Sequence, residues 1–304
     1  MKLKALFFCA IIIVPCLAHP QKFLVFGAAG WIGQKLVTLL REQNHEVYTA
    51  QSRLENRTAI MQEITFYRPD CVINAAGVTG RPNVDWCEDH RQETIRANII
   101  GALNLADICF MHNIHCTHFG TGCIYEYDEE HQVASGKGFK EEDIPNFSGS
   151  FYSRSKSMLD ALLQSYPNVL NLRLRMPISE DLHPRNFITK ISRYKKVVNV
   201  PNSMSVLSDL LPVSIAMTLR GITGTYNFVN PGTLSHNEIL ELYKQYVDPD
   251  FTYENFTIEE QNQVLKSKRS NNELDTAKLL SDFPDVPHIQ QSIIKVFEKI
   301  KDAL

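Results

Sequence analysis

The sequence has no surplus of charge of either sign, because 31 lysines and arginines face 34 acidic residues and leave a net charge of −3. A nucleic-acid partner held by phosphate neutralisation is therefore not expected. Repeats and low-complexity tracts are also lacking, and hydrophobic residues make up an ordinary 44% of the chain. These features disfavour a fibre, a coiled coil or a disordered tail, and 304 residues suffice for one large α/β domain or two smaller domains.

The cysteines lack the spacing of a structural site. None of the seven forms Cys-x-x-Cys, and no His/Cys cluster has the spacing of a zinc site. We therefore expect neither a metal nor a disulfide framework. The cysteines are at positions 9, 16, 71, 87, 109, 116 and 123.

An apolar segment occupies the N-terminus. Met1–Lys4 is basic, residues 5–17 are almost wholly apolar, and Cys16-Leu17-Ala18 is a small-x-small triplet before polar residues. This pattern is typical of a secretory signal peptide, and an unprocessed apolar extension is the alternative. Residues 1–21 are therefore treated as a leader, separate from the folded domains.

The rest of the chain alternates between predicted strands and helices. Strands are predicted at 23–26, 46–49, 71–74, 115–119 and 169–174, and helices at 31–42, 54–67, 85–112, 151–165, 185–195, 208–219, 235–246 and 289–302. Repeated β-α-β units predict an α/β fold with a doubly wound parallel sheet of the Rossmann type. We assign residues 22–177 to a dinucleotide-binding domain and 178–304 to a smaller substrate-binding part, from which a strand can return to the sheet.

A glycine turn follows the first predicted strand. Gly27, Gly30 and Gly33 provide a tight turn, backbone access to a pyrophosphate, and close packing of the next helix on the strand. An ordinary tight turn is the alternative. The segment after the second strand, residues 49–53, contains no acid to hold the ribose of NAD. Ser52 and Arg53 instead suit a 2′-phosphate, which favours NADPH, unless Arg53 is simply an exposed loop residue.

A Tyr-x-x-x-Lys pair opens the helix after the fourth strand. Tyr152 and Lys156 project from one helical face, and Thr121 ends the preceding strand at the edge where open sheets bind ligands. A nearby ammonium lowers the pKa of a phenol, so the pair can protonate a carbonyl oxygen as hydride reaches its carbon. The alternative is an incidental helix pair beside a strand-end threonine.

From about residue 22 to about 297 the chain resembles the extended short-chain dehydrogenase/reductases, and more narrowly the nucleotide-rhamnose synthases of plants. The matching segments are 27–33, 52–57, 74–88, 121–127, 185–190 and 269–274. More distant bacterial dTDP-4-dehydrorhamnose reductases carry Thr-Asp-Tyr where this chain has Thr121-Gly122-Cys123. The resemblance implies an NADPH-dependent 3,5-epimerase/4-reductase that converts UDP-4-keto-6-deoxy-D-glucose into UDP-L-rhamnose.

The resemblance also implies roles for individual residues. It implies that Cys123 and Lys190 are the acid and base of epimerisation. The residue types alone would instead favour Cys123 as a small core residue and Lys190 as a solvated charge on a helix. The expected cofactor-binding residues are Gly27, Gly30, Trp31, Ile32, Gly33, Ser52, Arg53, Asn74, Ala75, Ala76, Tyr152 and Lys156. The expected substrate-binding residues are Thr79, Arg81, Asn83, Asp85, Asn186 and Arg269, each with a structural loop contact as the alternative. Asn98 suits two interpretations equally well, an asparagine of the active site and an ordinary polar position on a helix.

Two rival functions stay open at this point. One is a 4-ketoreductase that needs a separate epimerase, and the other is a catalytically silent NADPH-binding regulatory subunit. The chemistry favours a cytoplasmic location, because NADPH and nucleotide sugars are pooled there in this family, while the leader favours the secretory pathway or a membrane anchor through residues 1–18. A homodimer is compatible with the sequence but is not specified by it.

Overall fold

A computed structural model of the chain describes residues 19–303, so residues 1–18 of the predicted leader over 1–21 lie outside the described residues. The described part is built around a six-stranded sheet in the order β2-β1-β3-β4-β5-β7, in which all neighbouring strands are parallel. A second sheet pairs β6 with β8. The strands are β1 (Lys22–Phe26), β2 (Glu46–Thr49), β3 (Cys71–Asn74), β4 (His115–Thr121), β5 (Val169–Leu174), β6 (Lys196–Val197), β7 (Gly224–Asn227) and β8 (Glu254–Asn255).

Helices connect these strands in the expected α/β alternation. They are α1 (Trp31–Glu42), α2 (Arg57–Tyr67), α3 (Trp86–Asp89), α4 (Arg91–Ile95), α5 (Ala102–Met111), α6 (Phe151–Leu163), α7 (Phe187–Ile191), α8 (Leu207–Leu219), α9 (His236–Tyr246), α10 (Ile258–Val264), α11 (Ala277–Asp282) and α12 (Ile289–Asp302). A π-helical turn over Arg96–Gly101 joins α4 to α5. The predicted doubly wound parallel sheet is confirmed.

Both faces of the large sheet are covered, which is why residues 23–26 of β1 form an unbroken apolar run. Phe23 and Val25 point to one face and pack with α1 and α8. Leu24 and Phe26 point to the other face and pack with α2, α5 and α6. The sheet and its helices therefore form a rigid support for the loops at the carboxyl ends of the strands.

Three helices differ clearly from the sequence prediction, and the one predicted over 185–195 covers only Phe187–Ile191. The helix predicted from residue 54 begins at Arg57, because Asn56 caps it by accepting a hydrogen bond from the Ala59 amide at 3.1 Å. The helix predicted over 85–112 is interrupted at His90 and widened over Arg96–Gly101. Apolar periodicity does not reveal such interruptions. The stretch 91–111 also has the length and apolarity of a membrane span, although part of it packs into the core beside the sheet.

Residues beyond 177 contribute to two parts of the structure. β7 completes the large sheet and α8 packs on one of its faces, so a strand does return to the sheet. α7, α9 and α12 enclose a separate hydrophobic cluster that includes Ile188, Ile239 and Ile293. The division at residue 177 stays a prediction, and the second cluster is the part of the later segment that stands apart from the sheet.

Candidate active site

The glycine turn has the backbone geometry that the sequence predicted. Gly27 has a φ of +77°, and a Cβ there would lie 2.5 Å from the Ala76 amide nitrogen. A Cβ on Gly33 would lie 2.2 Å from the Gly27 carbonyl oxygen. Only glycine fits these two positions, because the first needs a left-handed conformation and both need close approach of backbone to backbone.

The beginning of α1 is suited to a pyrophosphate. Gly30 is the N-cap, and no side chain accepts a hydrogen bond from the first amides of this 12-residue helix. The helix dipole and these amides favour an anion. Trp31, predicted to bind the cofactor, is buried beside this turn, where its indole donates to Asp181 at 3.0 Å and stacks on His183. A nucleotide pyrophosphate therefore fits the turn, with Trp31 anchoring the helix to the segment after residue 177.

The end of β3 lies beside the glycine turn at the switch point of the sheet. The chain passes from β1 to β2 on one side and later to β3 on the other, and ligands bind at such points in open α/β sheets. The Asn74 side chain is buried and accepts a hydrogen bond from the Ala76 amide at 3.0 Å. Asn74, Ala75 and Ala76 thus sit where the resemblance placed the cofactor.

The segment after β2 contains a contact that the sequence did not suggest. Arg53 is exposed, as the alternative interpretation allowed. The Ser52 hydroxyl donates to the Glu63 carboxylate of α2 at 2.8 Å, and the amides of Gln51 and Ser52 donate to the same carboxylate at 2.7 and 3.1 Å. Glu63 comes eleven residues after Ser52, on a helix, so no local motif marks it as part of this segment.

Thr121, Cys123 and Tyr152 meet at the carboxyl end of β4. The Thr121 hydroxyl accepts a hydrogen bond from the Cys123 amide at 3.1 Å. Burial raises the pKa of Tyr152, the neighbouring Cys123 raises it further, and a hydrogen bond with Thr121 opposes the change. Tyr152 is thus held as a neutral phenol, which is the form that donates a proton.

Lys156 is buried and faces a histidine. Its ammonium nitrogen lies 3.3 Å from Nε2 of His118, and Nδ1 of His118 lies 3.0 Å from the Asn74 amide nitrogen. Burial lowers the pKa of Lys156 to about 8, against the influence of Asp160. The prediction that Lys156 lowers the pKa of Tyr152 is wrong. Burial has the larger effect on the pKa of Tyr152 and raises it, and the Lys156 side chain is directed toward His118. His118 itself carried no sequence signal.

Lys190 lies in the last turn of α7, close enough to Cys123 for the two groups to interact. Burial lowers the pKa of Lys190, Arg185 lowers it further, and Cys123 raises it. Both side chains are partly exposed, whereas the other cysteines within residues 19–303 are buried. The structure therefore brings together the two residues for which spacing alone gave no reason to expect contact.

The loop after β3 is fixed by Asn98 from the π-helical turn. The Asn98 side chain accepts from the Val78 amide at 2.7 Å and donates to the Val78 carbonyl at 2.8 Å. Asn98 therefore positions the loop that contains the predicted sugar-binding residues. Within that loop, the Thr79 hydroxyl accepts from Arg185 at 3.0 Å, which links it to the segment before α7.

The remaining predicted substrate residues have different environments. Asp85 and Arg269 form an ion pair at 2.8 Å, and Ser267 also donates to Asp85 at 2.6 Å. Asn83 accepts from the Asp85 amide at 2.8 Å, and Arg81 is exposed. These contacts hold the loop after β3 against the segment over 267–269.

Asn186 requires a correction. It was expected to contact the nucleotide, but its side chain is fully buried. It donates to the carbonyls of Ser179 and Asp181 and accepts from the Ile188 amide as the N-cap of α7. All of its hydrogen-bonding groups are used within the protein, so it positions the helix that carries Lys190 and does not reach a ligand.

Comparisons with known proteins agree with this arrangement. A bifunctional dTDP-4-dehydrorhamnose 3,5-epimerase/dTDP-4-dehydrorhamnose reductase of Arabidopsis thaliana is 56% identical over 281 residues, 92% of this chain and 93% of the relative. A trifunctional UDP-glucose 4,6-dehydratase/3,5-epimerase/reductase of the same plant is also 56% identical, over 90% of this chain but only 41% of its own length. The chain thus spans less than half of that relative.

Solved structures give the same result for the fold. The crystal structure of the L780 UDP-rhamnose synthase of Acanthamoeba polyphaga mimivirus is 44% identical with a TM-score of 0.89, over 92% of this chain and 99% of the other. A dTDP-4-dehydrorhamnose reductase of Bacillus anthracis in complex with NADP is 18% identical with a TM-score of 0.79, over 92% of this chain and 99% of the other. This similarity concerns the fold alone. The model of the NAD-dependent epimerase/dehydratase family matches residues 23–210. This match covers well over half of the chain and includes the glycine turn and the Tyr152–Lys156 pair, so the chain belongs to the NAD-dependent epimerase/dehydratase family.

Proposed function

We propose that this protein is a nucleotide-sugar 3,5-epimerase/4-keto reductase, which converts UDP-4-keto-6-deoxy-D-glucose into UDP-L-rhamnose with NADPH. The observation that carries the proposal is the meeting of two proton-transfer pairs at one strand end. Thr121 and Tyr152 are suited to a carbonyl oxygen, and Cys123 and Lys190 are suited to the neighbouring carbons. The bifunctional relative, 56% identical over nearly its whole length, supports the same pair of activities.

Epimerisation needs an acid and a base on opposite faces of the sugar ring. Removing the proton from C3 or C5, both next to the C4 ketone, leaves an enolate whose negative charge rests on the C4 oxygen. Thr121 and Tyr152 supply hydrogen-bond donors to that oxygen. Cys123 and Lys190 exchange the carbon-bound protons, one removing a proton and the other returning one to the opposite face. Each inversion leaves the atoms and charge of the sugar unchanged.

Reduction of C4 follows in the same site. The bound dinucleotide supplies hydride to the C4 carbon. Tyr152 donates its phenolic proton to the C4 oxygen as that charge develops, and its raised pKa ensures that the proton is present at neutral pH. Lys156, whose pKa is lowered to about 8, is mostly an ammonium at pH 7 and lies one helical turn after Tyr152 on α6.

NADPH is the proposed reductant within the NAD(P)-binding family. The glycine turn and the first amides of α1 fit a pyrophosphate, and the absence of an acid from residues 49–53 favours a cofactor with a 2′-phosphate. Arg53 is exposed at the end of β2 and free to approach that phosphate. The Bacillus anthracis reductase, which is similar in fold, was crystallised with NADP.

The direct test is to incubate the protein with UDP-4-keto-6-deoxy-D-glucose and NADPH and follow NADPH loss and product stereochemistry. We expect UDP-L-rhamnose. A product reduced at C4 without inversion at C3 and C5 would indicate a reductase alone. NADPH binding without turnover would indicate a regulatory subunit. Parallel reactions with the dTDP form measure the choice of nucleotide.

We place the working site in the cytoplasm. Support comes from the proposed substrates and from the proposed role of Cys123 as a free thiol, which an oxidising compartment disfavours. N-terminal sequencing of the protein from its native cells tests the location. A mature chain that begins at His19 in a lumenal or secreted fraction would contradict it.

A further inference from the structure

The Glu63 carboxylate accepts hydrogen bonds from a group of donors at the cofactor end of the sheet. Three donors converge on it: the amides of Gln51 and Ser52 and the Ser52 hydroxyl, at 2.7, 3.1 and 2.8 Å. The Ala50 amide donates to the Val25 carbonyl at 3.0 Å, which holds this segment beside β1 and the glycine turn. Successive amides with a hydroxyl form the kind of concavity that binds anions.

This place is where the adenosine ribose of a dinucleotide lies in a Rossmann fold, just after the second strand. An acid at this point accepts hydrogen bonds from the ribose hydroxyls of NAD, and a nearby arginine accommodates the 2′-phosphate of NADP. The chain has both kinds of group. Arg53 lies in the expected segment, and the acid arrives from α2, where Glu63 faces the same segment across the loop.

The two groups have opposite effects on a 2′-phosphate. Arg53 attracts the phosphate, whereas the negative charge of Glu63 repels it and already uses the Ser52 donors that would otherwise bind it. For a cofactor without the phosphate, the Glu63 carboxylate remains available to accept from a ribose hydroxyl. The identity of the reductant therefore depends on the balance between these two side chains.

We propose that Glu63 is a cofactor-specificity residue, which offsets part of the attraction of Arg53 for a 2′-phosphate and so narrows the preference of the site for NADPH over NADH. The inference rests on the proposed function only in assuming that the glycine turn binds a nicotinamide dinucleotide. The binding constants for NADPH and for NADH test it, and both are measured without any sugar substrate.

Isothermal titration calorimetry of the full chain with NADPH and with NADH tests the proposal. For the unaltered protein we expect a preference for NADPH of less than about tenfold. Glu63→Gln should increase that preference by about tenfold or more, because the repulsion of the phosphate is lost and an acceptor for the ribose is weakened. Arg53→Ala should move the preference toward NADH. Glu55→Gln is the matched control, since Glu55 lies in the same loop and its carboxylate makes no hydrogen bond among the described residues.

The outcomes separate the two proposals. A preference for NADPH above about tenfold in the unaltered protein would overturn the role of Glu63 without any variant. An unchanged preference in folded Glu63→Gln, or an equal change in Glu55→Gln, would also overturn the role of Glu63. In each of these cases the cofactor still binds, so the proposed function is not affected. If neither NADPH nor NADH binds, the proposed reductase function fails.

Discussion

Tyr152 combines a proton-donating role with an environment that keeps its proton in place. Burial and the neighbouring Cys123 raise the pKa of its phenol, and Thr121 lies beside it. We predict that Tyr152→Phe lowers the rate of C4 reduction by about 10²–10⁴-fold, because only the general acid is lost. The Kd for NADPH should change little. Stopped-flow measurement of NADPH oxidation gives the first quantity and calorimetry the second, and turnover at the unaltered rate would contradict the role.

Lys156 is connected to β3 through His118, which lies between its side-chain nitrogen and Asn74. The Ala76 amide donates to Asn74, so the Asn74 amino group faces Nδ1 of His118, and the histidine proton lies on Nε2 toward Lys156. This tautomer is assigned from its partners. A donor facing Lys156 favours its uncharged form and acts together with burial, which lowers its pKa to about 8.

His118→Gln replaces that donor with a side chain whose carbonyl oxygen can take the place of Nε2 and accept from an ammonium. We predict that the midpoint of Lys156 ionisation rises by about one unit or more, and that the alkaline loss of reduction moves to higher pH with it. Titration of ¹³C-labelled lysine side chains by NMR reports the midpoint, and Lys156→Met identifies the signal. His115→Gln, on the same strand, is the control. A midpoint that does not move in folded His118→Gln would rule out this role of His118.

At the scale of elements, the π-helical turn over Arg96–Gly101 is the feature that apolar periodicity missed. It places Asn98 so that its amide pairs with both backbone groups of Val78. The same turn brings Gly101 against Leu54, where a Cβ would lie 2.6 Å from the leucine Cβ. A π turn shifts side chains around the helix, and it often occurs at functional sites.

Asn98→Ala removes both hydrogen bonds to the partly buried Val78 backbone, and each such bond contributes about 0.5–1.5 kcal/mol. We predict a lower free energy of unfolding in denaturant titrations and a rise in KM for the sugar nucleotide that exceeds any change in the Kd for NADPH. The reason is that the loop after β3 contains the predicted sugar-binding residues. Asn104→Ala removes a comparable bond, to the Leu54 carbonyl at 3.0 Å, from a loop without those residues. Equal effects on KM in both variants would contradict the positioning role.

The strands and helices of the large sheet were accessible from sequence to different degrees. Glu46–Thr49 and Cys71–Asn74 were predicted to the residue, since turn signals bound short apolar strands. The sequence did not predict the position of the strand at Gly224–Asn227, because this short segment joins the sheet by pairing with β5. Contacts such as Ser52 with Glu63 and Lys156 with His118 join separate elements, and no local pattern encodes them.

At the scale of the whole molecule, two halves of the chain supply one site. The sheet provides Thr121 and Cys123 at the end of β4 and Tyr152 on α6, while α7, beyond residue 177, provides Lys190. Asp181 ties this later segment to the cofactor end of the sheet by accepting from Trp31 and pairing with Lys35 at 2.6 Å. The central claim is that this single site both epimerises and reduces.

The most direct test of that claim is deuterium exchange in D₂O with UDP-4-keto-6-deoxy-D-glucose and no added NADPH, followed by NMR at C3 and C5. We expect exchange in the unaltered protein and in Lys195→Ala, an exposed control. Cys123→Ser and Lys190→Ala should each slow exchange at C3 or C5 by at least about tenfold, yet reduce an already epimerised 4-keto sugar at a rate close to that of the unaltered protein. Full-rate exchange in both variants would show that epimerisation does not depend on this site.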